Sequence, residues 1–79
     1  MELEFLHCFE TVARLQSITL ASDELNLSPS AISSGLRKLE AELNCSLFER
    51  TPRGVVLTQN GEYFRKWANK NSGFLSQLL

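Results

Sequence analysis

The chain has 79 residues, which is enough for one compact domain with a single hydrophobic core. Hydrophobic residues make up 43% of it, and 8 Lys and Arg nearly balance 9 Asp and Glu. No uncharged apolar run reaches the roughly 18 residues of a membrane span, and no positive charge opens a signal peptide. We therefore expect a cytoplasmic protein with no membrane partner. Because so small a domain buries little surface alone, a dimer is a reasonable expectation.

Catalytic and metal-binding patterns are missing from the sequence. Cys8 and Cys45 lie far apart, and His7 is the single histidine, so no disulfide framework or metal-ligand spacing emerges. We expect both cysteines to act as small buried or half-buried hydrophobic residues, with a redox role for Cys45 as the alternative. There is no CxxC motif, glycine-rich phosphate loop or catalytic carboxylate pair. We expect neither an enzyme nor a cofactor.

The charges are separated along the chain. Residues 1–36 hold one basic and five acidic residues, whereas residues 37–79 hold seven basic and four acidic residues. A basic surface in the second half can meet phosphates while the acidic remainder limits nonspecific binding. Ordinary clustering of solvated charges explains the asymmetry almost as well, so charge alone assigns no function.

The first segment predicts an amphipathic helix over residues 3–15. Its apolar residues recur at intervals of three and four: Leu3, Leu6, Phe9, Val12 and Ala13. Most of its charged residues fall on the other faces. The apolar stripe of this helix therefore needs a core to pack against.

A short second helix follows. Ser17 and Thr19 offer capping oxygens for a helix that runs to about Leu25. Asn26 tolerates the left-handed conformation and is expected to end this helix. We expect Leu27 to pack inward after the turn.

Ser28-Pro29 is the clearest local signal for a third helix, because the serine oxygen can cap free amides and proline has a helical φ. The buried stripe of this helix is expected to be Ile32, Leu36, Leu39 and Leu43. With the turn at residues 26–28, the second and third helices form a helix-turn-helix. Small polar residues precede basic residues on the exposed face: Ser30, Ser33, Ser34, Arg37 and Lys38. This order suits a helix whose N-terminal end enters a DNA major groove.

Two short apolar runs on either side of Thr51-Pro52-Arg53-Gly54 predict a small β-hairpin. After a helix-turn-helix such a hairpin has the form of a wing, in which Arg53 can enter a minor groove and Arg50 can contact phosphate. For Arg50 the alternative is a salt bridge to Glu49 or Glu42, with the turn simply solvated.

Thr58 can cap a last helix over residues 59–79. Its apolar residues keep a helical period: Phe64, Trp67, Phe74, Leu75 and Leu78. A fully helical segment of this length reaches about 30 Å, more than the domain needs to close its own core. We therefore expect a partner subunit there, with packing of Trp67 against the first helix as the alternative.

Together these residues resemble the N-terminal DNA-binding domain of LysR-type transcriptional regulators. The matching residues are Met1-Glu2-Leu3, Leu6, Phe9, Val12, Ala13, Ser17-Ile18-Thr19-Leu20-Ala21, Leu25, Ser28, Ala31-Ile32-Ser33, Leu39-Glu40, Leu43, Leu47-Phe48-Glu49-Arg50, Arg53-Gly54, Leu57-Thr58 and Gly61. So many residues at fixed spacings make a strong signal. The resemblance implies a mainly α fold: a winged helix-turn-helix of three helices and a two-stranded wing over residues 1–58, then a long linker helix over residues 59–79. It also implies that the linker helix pairs subunits.

The family further has a separate effector-binding domain, which takes a small molecule and has no counterpart in these residues. We therefore expect the chain to be a DNA-binding fragment, with an unusually short member of the family as the alternative. Ser28-Pro29-Ser30-Ala31 stands where the family has Ser-Gln-Pro-Ala, and Gly35 stands where the family often has another glutamine. Base reading by glutamine is thus not expected. Ser33 and Arg53 match the family's recognition-helix serine and wing arginine.

We predict a sequence-specific transcriptional regulator that binds double-stranded DNA as a homodimer or higher homo-oligomer, with about Pro29–Leu43 in the major groove. The predicted DNA contacts are Thr19, Ser28, Pro29, Ser30, Ser33, Ser34, Arg37, Lys38, Arg50 and Arg53. The predicted pairing surface consists of Phe64, Trp67, Phe74, Leu75 and Leu78. The alternative, motivated by the net charge of −1 and the missing glutamines, is a protein-interaction module that pairs without binding DNA.

Overall fold

The computed structural model describes residues 2–71 as four helices and one hairpin. In chain order these are α1 (Leu3–Leu15), α2 (Ile18–Leu25), α3 (Pro29–Leu43), β1 (Phe48–Thr51), β2 (Gly54–Leu57) and α4 (Gln59–Lys70). The two strands are antiparallel, with Phe48 opposite Leu57 and Thr51 opposite Gly54. The predicted winged helix-turn-helix is therefore confirmed. Within this part of the chain no helix is long and apolar enough to span a membrane.

The helix boundaries follow from their caps. A side-chain oxygen accepts a hydrogen bond from an amide in the first turn at three helix starts: Ser17 from Leu20, Ser28 from Ala31, and Thr58 from Gly61. Three helices end at residues with a φ of 55°: Gln16, Asn26 and Asn44. The predicted bounds of α1 and the turn at residues 26–28 are confirmed. Ser17, not Thr19, caps α2.

Helix α1 lies at the centre of the core. Phe9 and Val12 are fully buried. The Phe9 ring lies 5.3 Å from that of Phe48 in β1 and 5.0 Å from that of Phe64 in α4, measured between centroids. One α1 side chain therefore contacts both the wing and the last helix, so α1 sets where both lie.

The two aromatic residues of α4 have different roles. Phe64 is buried against Phe9, so this residue of the predicted pairing surface belongs to the domain's own core. Trp67 stacks on Phe64 with centroids 5.6 Å apart and stays 47% exposed, so packing of Trp67 against α1 is wrong. Of the predicted pairing residues in the part of the chain that the structure describes, Trp67 is therefore the exposed one. Three further predicted pairing residues lie outside the described residues: Phe74, Leu75 and Leu78.

One expectation about burial is wrong, and one position has an unexpected neighbour. Leu27 is 43% exposed, because left-handed Asn26 and the hydrogen bond from the Leu27 amide to the Ser22 carbonyl close α2 and leave Leu27 at the surface. Gly35 is buried, and a Cβ built there would lie 3.2 Å from the Phe5 ring. Position 35 therefore faces α1, and a side chain there would be directed at the core.

Both cysteines are free thiols. Cys8 is buried and Cys45 is half-buried. Burial, with a smaller contribution from the charge of Glu4, raises the pKa of the Cys8 thiol. A raised pKa leaves little thiolate at neutral pH, so Cys8 acts as a small core residue, as expected.

We expect Gly61→Ala to destabilise the fold far more than Gly35→Ala. A Cβ at position 61 would lie 2.1 Å from the Leu47 carbonyl oxygen, whereas at position 35 it meets only a side-chain ring at 3.2 Å. Moving backbone should cost about 1–3 kcal/mol, whereas the helix propensity of alanine offsets the milder contact at position 35. Thermal unfolding followed by circular dichroism checks this, at about 4–8 °C per kcal/mol. Equal shifts in the two variants would contradict it.

Candidate nucleic-acid interface

One face of α3 is open to solvent. Ile32, Leu36 and Leu39 bury the opposite face. On the open face, Ser30, Arg37 and Lys38 are exposed, and Ser33 and Ser34 are half-buried. The face therefore presents short hydroxyl side chains near its N-terminal end and basic side chains one to two turns later.

The start of α3 is shaped by its cap. The Ser28 hydroxyl accepts a hydrogen bond of 3.1 Å from the Ala31 amide and lies 3.3 Å from the Ser30 hydroxyl. Pro29 occupies the first turn, where its missing N–H costs nothing. The hydroxyls of Ser33 and Ser34, in contrast, form no hydrogen bond within residues 2–71, so both are available to a ligand.

A groove of about 230 Å³ lies between the start of α2, the open face of α3 and the hairpin. It is lined by Ile18, Ser33, Leu36, Arg37, Glu40, Phe48, Arg50 and Val55. Three predicted DNA contacts thus lie together, Ser33 and Arg37 from α3 and Arg50 from β1. In the part of the chain that is described, neither arginine forms a salt bridge, so the alternative pairing of Arg50 with Glu49 or Glu42 is not found.

Glu40 joins α3 to the wing. Its carboxylate accepts hydrogen bonds from the amide of Leu47 at 2.7 Å, the amide of Phe48 at 3.3 Å and the hydroxyl of Ser46 at 3.5 Å. This role of Glu40 is not among the sequence predictions. A signal was present, because an acid in the last turn of a helix opposes the helix dipole and gains from nearby donors.

The wing is held at its turn. The Arg53 amide donates to the Thr51 hydroxyl at 3.2 Å, and that hydroxyl donates to the Gly54 carbonyl at 3.1 Å. Directly after the turn the Val55 amide donates to the Gln16 carbonyl at 3.2 Å. Gly54 has a φ of 137°, and a Cβ there would lie 2.5 Å from the Gln16 oxygen, so this approach needs glycine. Arg53 is therefore an exposed side chain on an ordered turn.

Seven of the ten predicted DNA contacts do not line the groove: Thr19, Ser28, Pro29, Ser30, Ser34, Lys38 and Arg53. The Lys38 side chain is exposed, and its ammonium lies 5.6 Å from the centroid of the Phe5 ring of α1. Thr19 is exposed in the first turn of α2. The structure thus gathers Ser33, Arg37 and Arg50 in one groove and leaves Lys38 and Thr19 outside its lining.

Residues 3–62 match the profile of a family described as bacterial regulatory helix-turn-helix protein, lysR family. The chain belongs to the LysR family. The match spans all of the winged helix-turn-helix and the first residues of α4, so the family resemblance of the sequence is confirmed.

Similar curated LysR-family proteins carry regulator names. The chain is 48% identical over 71 residues to the HTH-type transcriptional regulator DsdC of Escherichia coli strain K12, which covers 90% of this chain and 22% of the relative. It is 42% identical over 77 residues to the HTH-type transcriptional regulator PerR of the same strain, covering 98% and 26%. The chain thus spans about a quarter of the length of these relatives.

Two similar solved structures contain DNA. One is the complex of the BenM DNA-binding domain with catB site 1 DNA, with a TM-score of 0.86, 36% identity, and coverage of 99% of this chain and 88% of that chain. The other is the complex of the CbnR DNA-binding domain with DNA, with a TM-score of 0.87, 31% identity, and coverage of 98% and 88%. The LysR-family chain described here therefore shares its fold with isolated DNA-binding domains.

We expect Glu40→Ala to destabilise the domain by about 1–3 kcal/mol, because it removes the acceptor of two backbone amides at the start of β1. Amide hydrogen exchange should accelerate at Leu47 and Phe48 first. The control is Glu49→Ala, which removes an exposed acid from the same hairpin and should change stability by no more than about 0.5 kcal/mol. Unchanged exchange at both amides in Glu40→Ala would show that the Glu40 carboxylate does not hold α3 to β1.

Proposed function

We propose that the chain is the sequence-specific DNA-binding unit of a LysR-type transcriptional regulator, in which residues 1–58 bind double-stranded DNA and residues 59–79 pair subunits. The observation that carries the proposal is the groove in which Ser33, Arg37 and Arg50 lie together without competing salt bridges within residues 2–71. A helix with short side chains beside two unpaired arginines combines close approach to base edges with attraction to phosphates.

The proposed contacts divide by chemistry. Ser30, Ser33 and Ser34 contact base edges in the major groove, because a hydroxyl can both donate and accept there. Ser28 and Pro29 let the start of α3 approach closely. Four further side chains contact the backbone phosphates: Thr19, Arg37, Lys38 and Arg50. Arg53 enters an adjacent minor groove, where narrow A·T-rich segments attract arginine.

The DNA partner has independent support. The similar BenM and CbnR domains are in complexes with DNA. No residue cluster of the metal-binding type occurs within residues 2–71, and the relatives carry regulator names, so the proposal includes neither an enzyme activity nor a cofactor. As a regulator of this kind, the protein would act in the cytoplasm.

The pairing surface is proposed to start on α4. Tyr63 and Trp67 are 60% and 47% exposed, which is unusual for aromatic side chains of this size in a small domain. They lie with Lys66 and Lys70 around an open groove. Two copies would then present two α3 helices to an inverted repeat, with successive major-groove faces about 34 Å apart. A small-molecule effector would bind a separate domain, since relatives are about four times as long.

Selection of the chain on randomised duplexes at two salt concentrations tests the proposal. An inverted repeat should be enriched, since a dimer reads two copies of one half-site. Failure of the folded protein to enrich any sequence, together with a dimer that is insensitive to salt, would favour the protein-interaction module instead.

We expect Arg37→Ala and Arg50→Ala each to weaken binding on all sequences and to reduce the slope of log K against log salt by about one. Arg53→Ala should in addition lose preference for A·T-rich flanks. Fluorescence anisotropy at several salt concentrations measures both effects. The control is Arg14→Ala, which removes the same charge from the exposed Arg14–Glu24 pair. A slope unchanged in both groove variants would exclude phosphate contacts there.

We expect Trp67→Glu to weaken self-association of the chain by about tenfold or more, since buried tryptophans dominate many interfaces. Sedimentation equilibrium measures this, and far-ultraviolet circular dichroism verifies that the variant is folded. Leu20→Glu is the control, because Leu20 is 52% exposed on α2 and lies outside the proposed surface. Equal association of Trp67→Glu and the unchanged chain would remove α4 from the interface.

A further inference from the structure

We infer that the Glu10–Arg65 ion pair is a positioning clamp, which sets the angle of α4 on the winged domain and thereby the half-site separation that a dimer accepts. The inference rests on the proposed function, because a separation exists only for a DNA-binding dimer. Neither residue lines the groove of α3. Their role is therefore to position α4 relative to the domain that carries the groove.

The pair has directional geometry. Arg65 donates from Nε to Glu10 Oε2 at 3.1 Å and from Nη2 to Glu10 Oε1 at 2.8 Å. The side chains are only 33% and 15% exposed. Two parallel hydrogen bonds between planar groups restrict their relative orientation, as a single contact does not. A second interhelical pair within residues 2–71, Arg14–Glu24, has side chains that are each 44% exposed and joins the sequence neighbours α1 and α2.

The first turn of α4 is a fixed point. The Thr58 amide donates to the Leu47 carbonyl at 2.9 Å, and the Thr58 hydroxyl donates to the Ser46 carbonyl. Gly61 lies so close to the Leu47 carbonyl that no Cβ fits between them. These contacts hold the start of the helix, but contacts at one end leave the rest of a helix able to swing.

Two neighbouring contacts restrain that swing. Phe64 packs on Phe9, and the next residue along each helix forms the ion pair, Arg65 with Glu10. Consecutive helical residues are about 100° apart around the axis, so the two contacts act in different directions. Phe64 and Ala68 already bury one face of α4. The ion pair is therefore not needed to keep α4 on the domain, and what it adds is the sideways angle.

A small change of this angle has a large effect at the far end. The 12 residues of α4 span about 18 Å, so a swing of about 10° moves the end of the helix by about 3 Å. One base-pair step of DNA is about 3.4 Å. An error of this size in each subunit therefore changes the accepted separation by about one base pair or more, while each half-site contact stays the same.

The test compares Glu10→Gln with its matched control Glu24→Gln, which makes the same chemical change in the other ion pair. Duplexes carry two inverted copies of the half-site selected by the unchanged chain, with spacers varied in single base pairs, and a further duplex carries one copy. For Glu10→Gln we expect affinity for the single half-site within about twofold and at least a threefold loss of preference between the best and neighbouring spacers. The control should keep both properties. The double variant Glu10→Arg with Arg65→Glu should recover the preference.

The outcomes separate the clamp from the proposed function. If the unchanged chain prefers a narrow range of spacers and Glu10→Gln keeps that preference, the clamp alone is overturned. The same holds if Glu10→Gln loses affinity equally for single and for paired half-sites. If the unchanged chain binds duplexes of all spacer lengths equally well, the proposal that a dimer binds two half-sites is overturned, and the clamp with it. Residual dipolar couplings of α4 amides give a reading without DNA: the orientation of α4 relative to α1 should change or broaden in Glu10→Gln but not in Glu24→Gln. Identical couplings in the two variants would also overturn the clamp.

Discussion

The burial of Phe9 is the contact on which the architecture depends. Its ring meets Phe48 of the wing and Phe64 of α4, while the rest of α1 packs on α2 and α3. A domain of this size has one core and few large side chains to fill it, so a single aromatic residue contacts elements that are distant in sequence. The positions of α3, the wing and α4 relative to one another are thus all set by their packing on α1.

Polar contacts fix the angles between the elements, which apolar packing in the core does not specify. Glu40 joins α3 to β1, the Gln16 carbonyl joins the end of α1 to β2, and Thr58 joins the turn before β1 to α4. Each contact uses main-chain groups that would otherwise lose their water partners when the elements pack. Because hydrogen bonds are directional and apolar packing is not, these contacts specify angles, whereas the core supplies most of the cohesion.

Local signals in the sequence were sufficient for the elements and their order. Ser17, Ser28 and Thr58 act where capping rules place them, and the three-residue turn follows from Asn26 and Pro29. Periodicity is less able to say which member of a stripe is buried. Phe64 and Trp67 are three residues apart on one helix, and only the position of α1 makes one core and the other surface.

Contacts between residues that are distant in sequence could not be predicted from the sequence. Glu10 and Arg65 are separated by 55 residues, and neither has a local pattern that marks it as paired. Gly35 looked like a missing base-reading side chain because position along a helix does not give the facing partner, which here is the Phe5 ring. The residue types of the proposed DNA contacts could be predicted from the sequence. That Ser33, Arg37 and Arg50 line one groove could be seen only in the fold.

The open face of α3 contributes few contacts to the fold. Ser33 and Ser34 bond to nothing else within residues 2–71, whereas the residues that hold α3 in place lie on its other side or at its cap. Substitutions at these two serines therefore remove no hydrogen bond from the described part of the fold. In evolutionary terms, the residues that choose a binding sequence can vary while the scaffold stays under selection for stability, so descendants of one such domain can acquire new target sites without passing through unfolded intermediates.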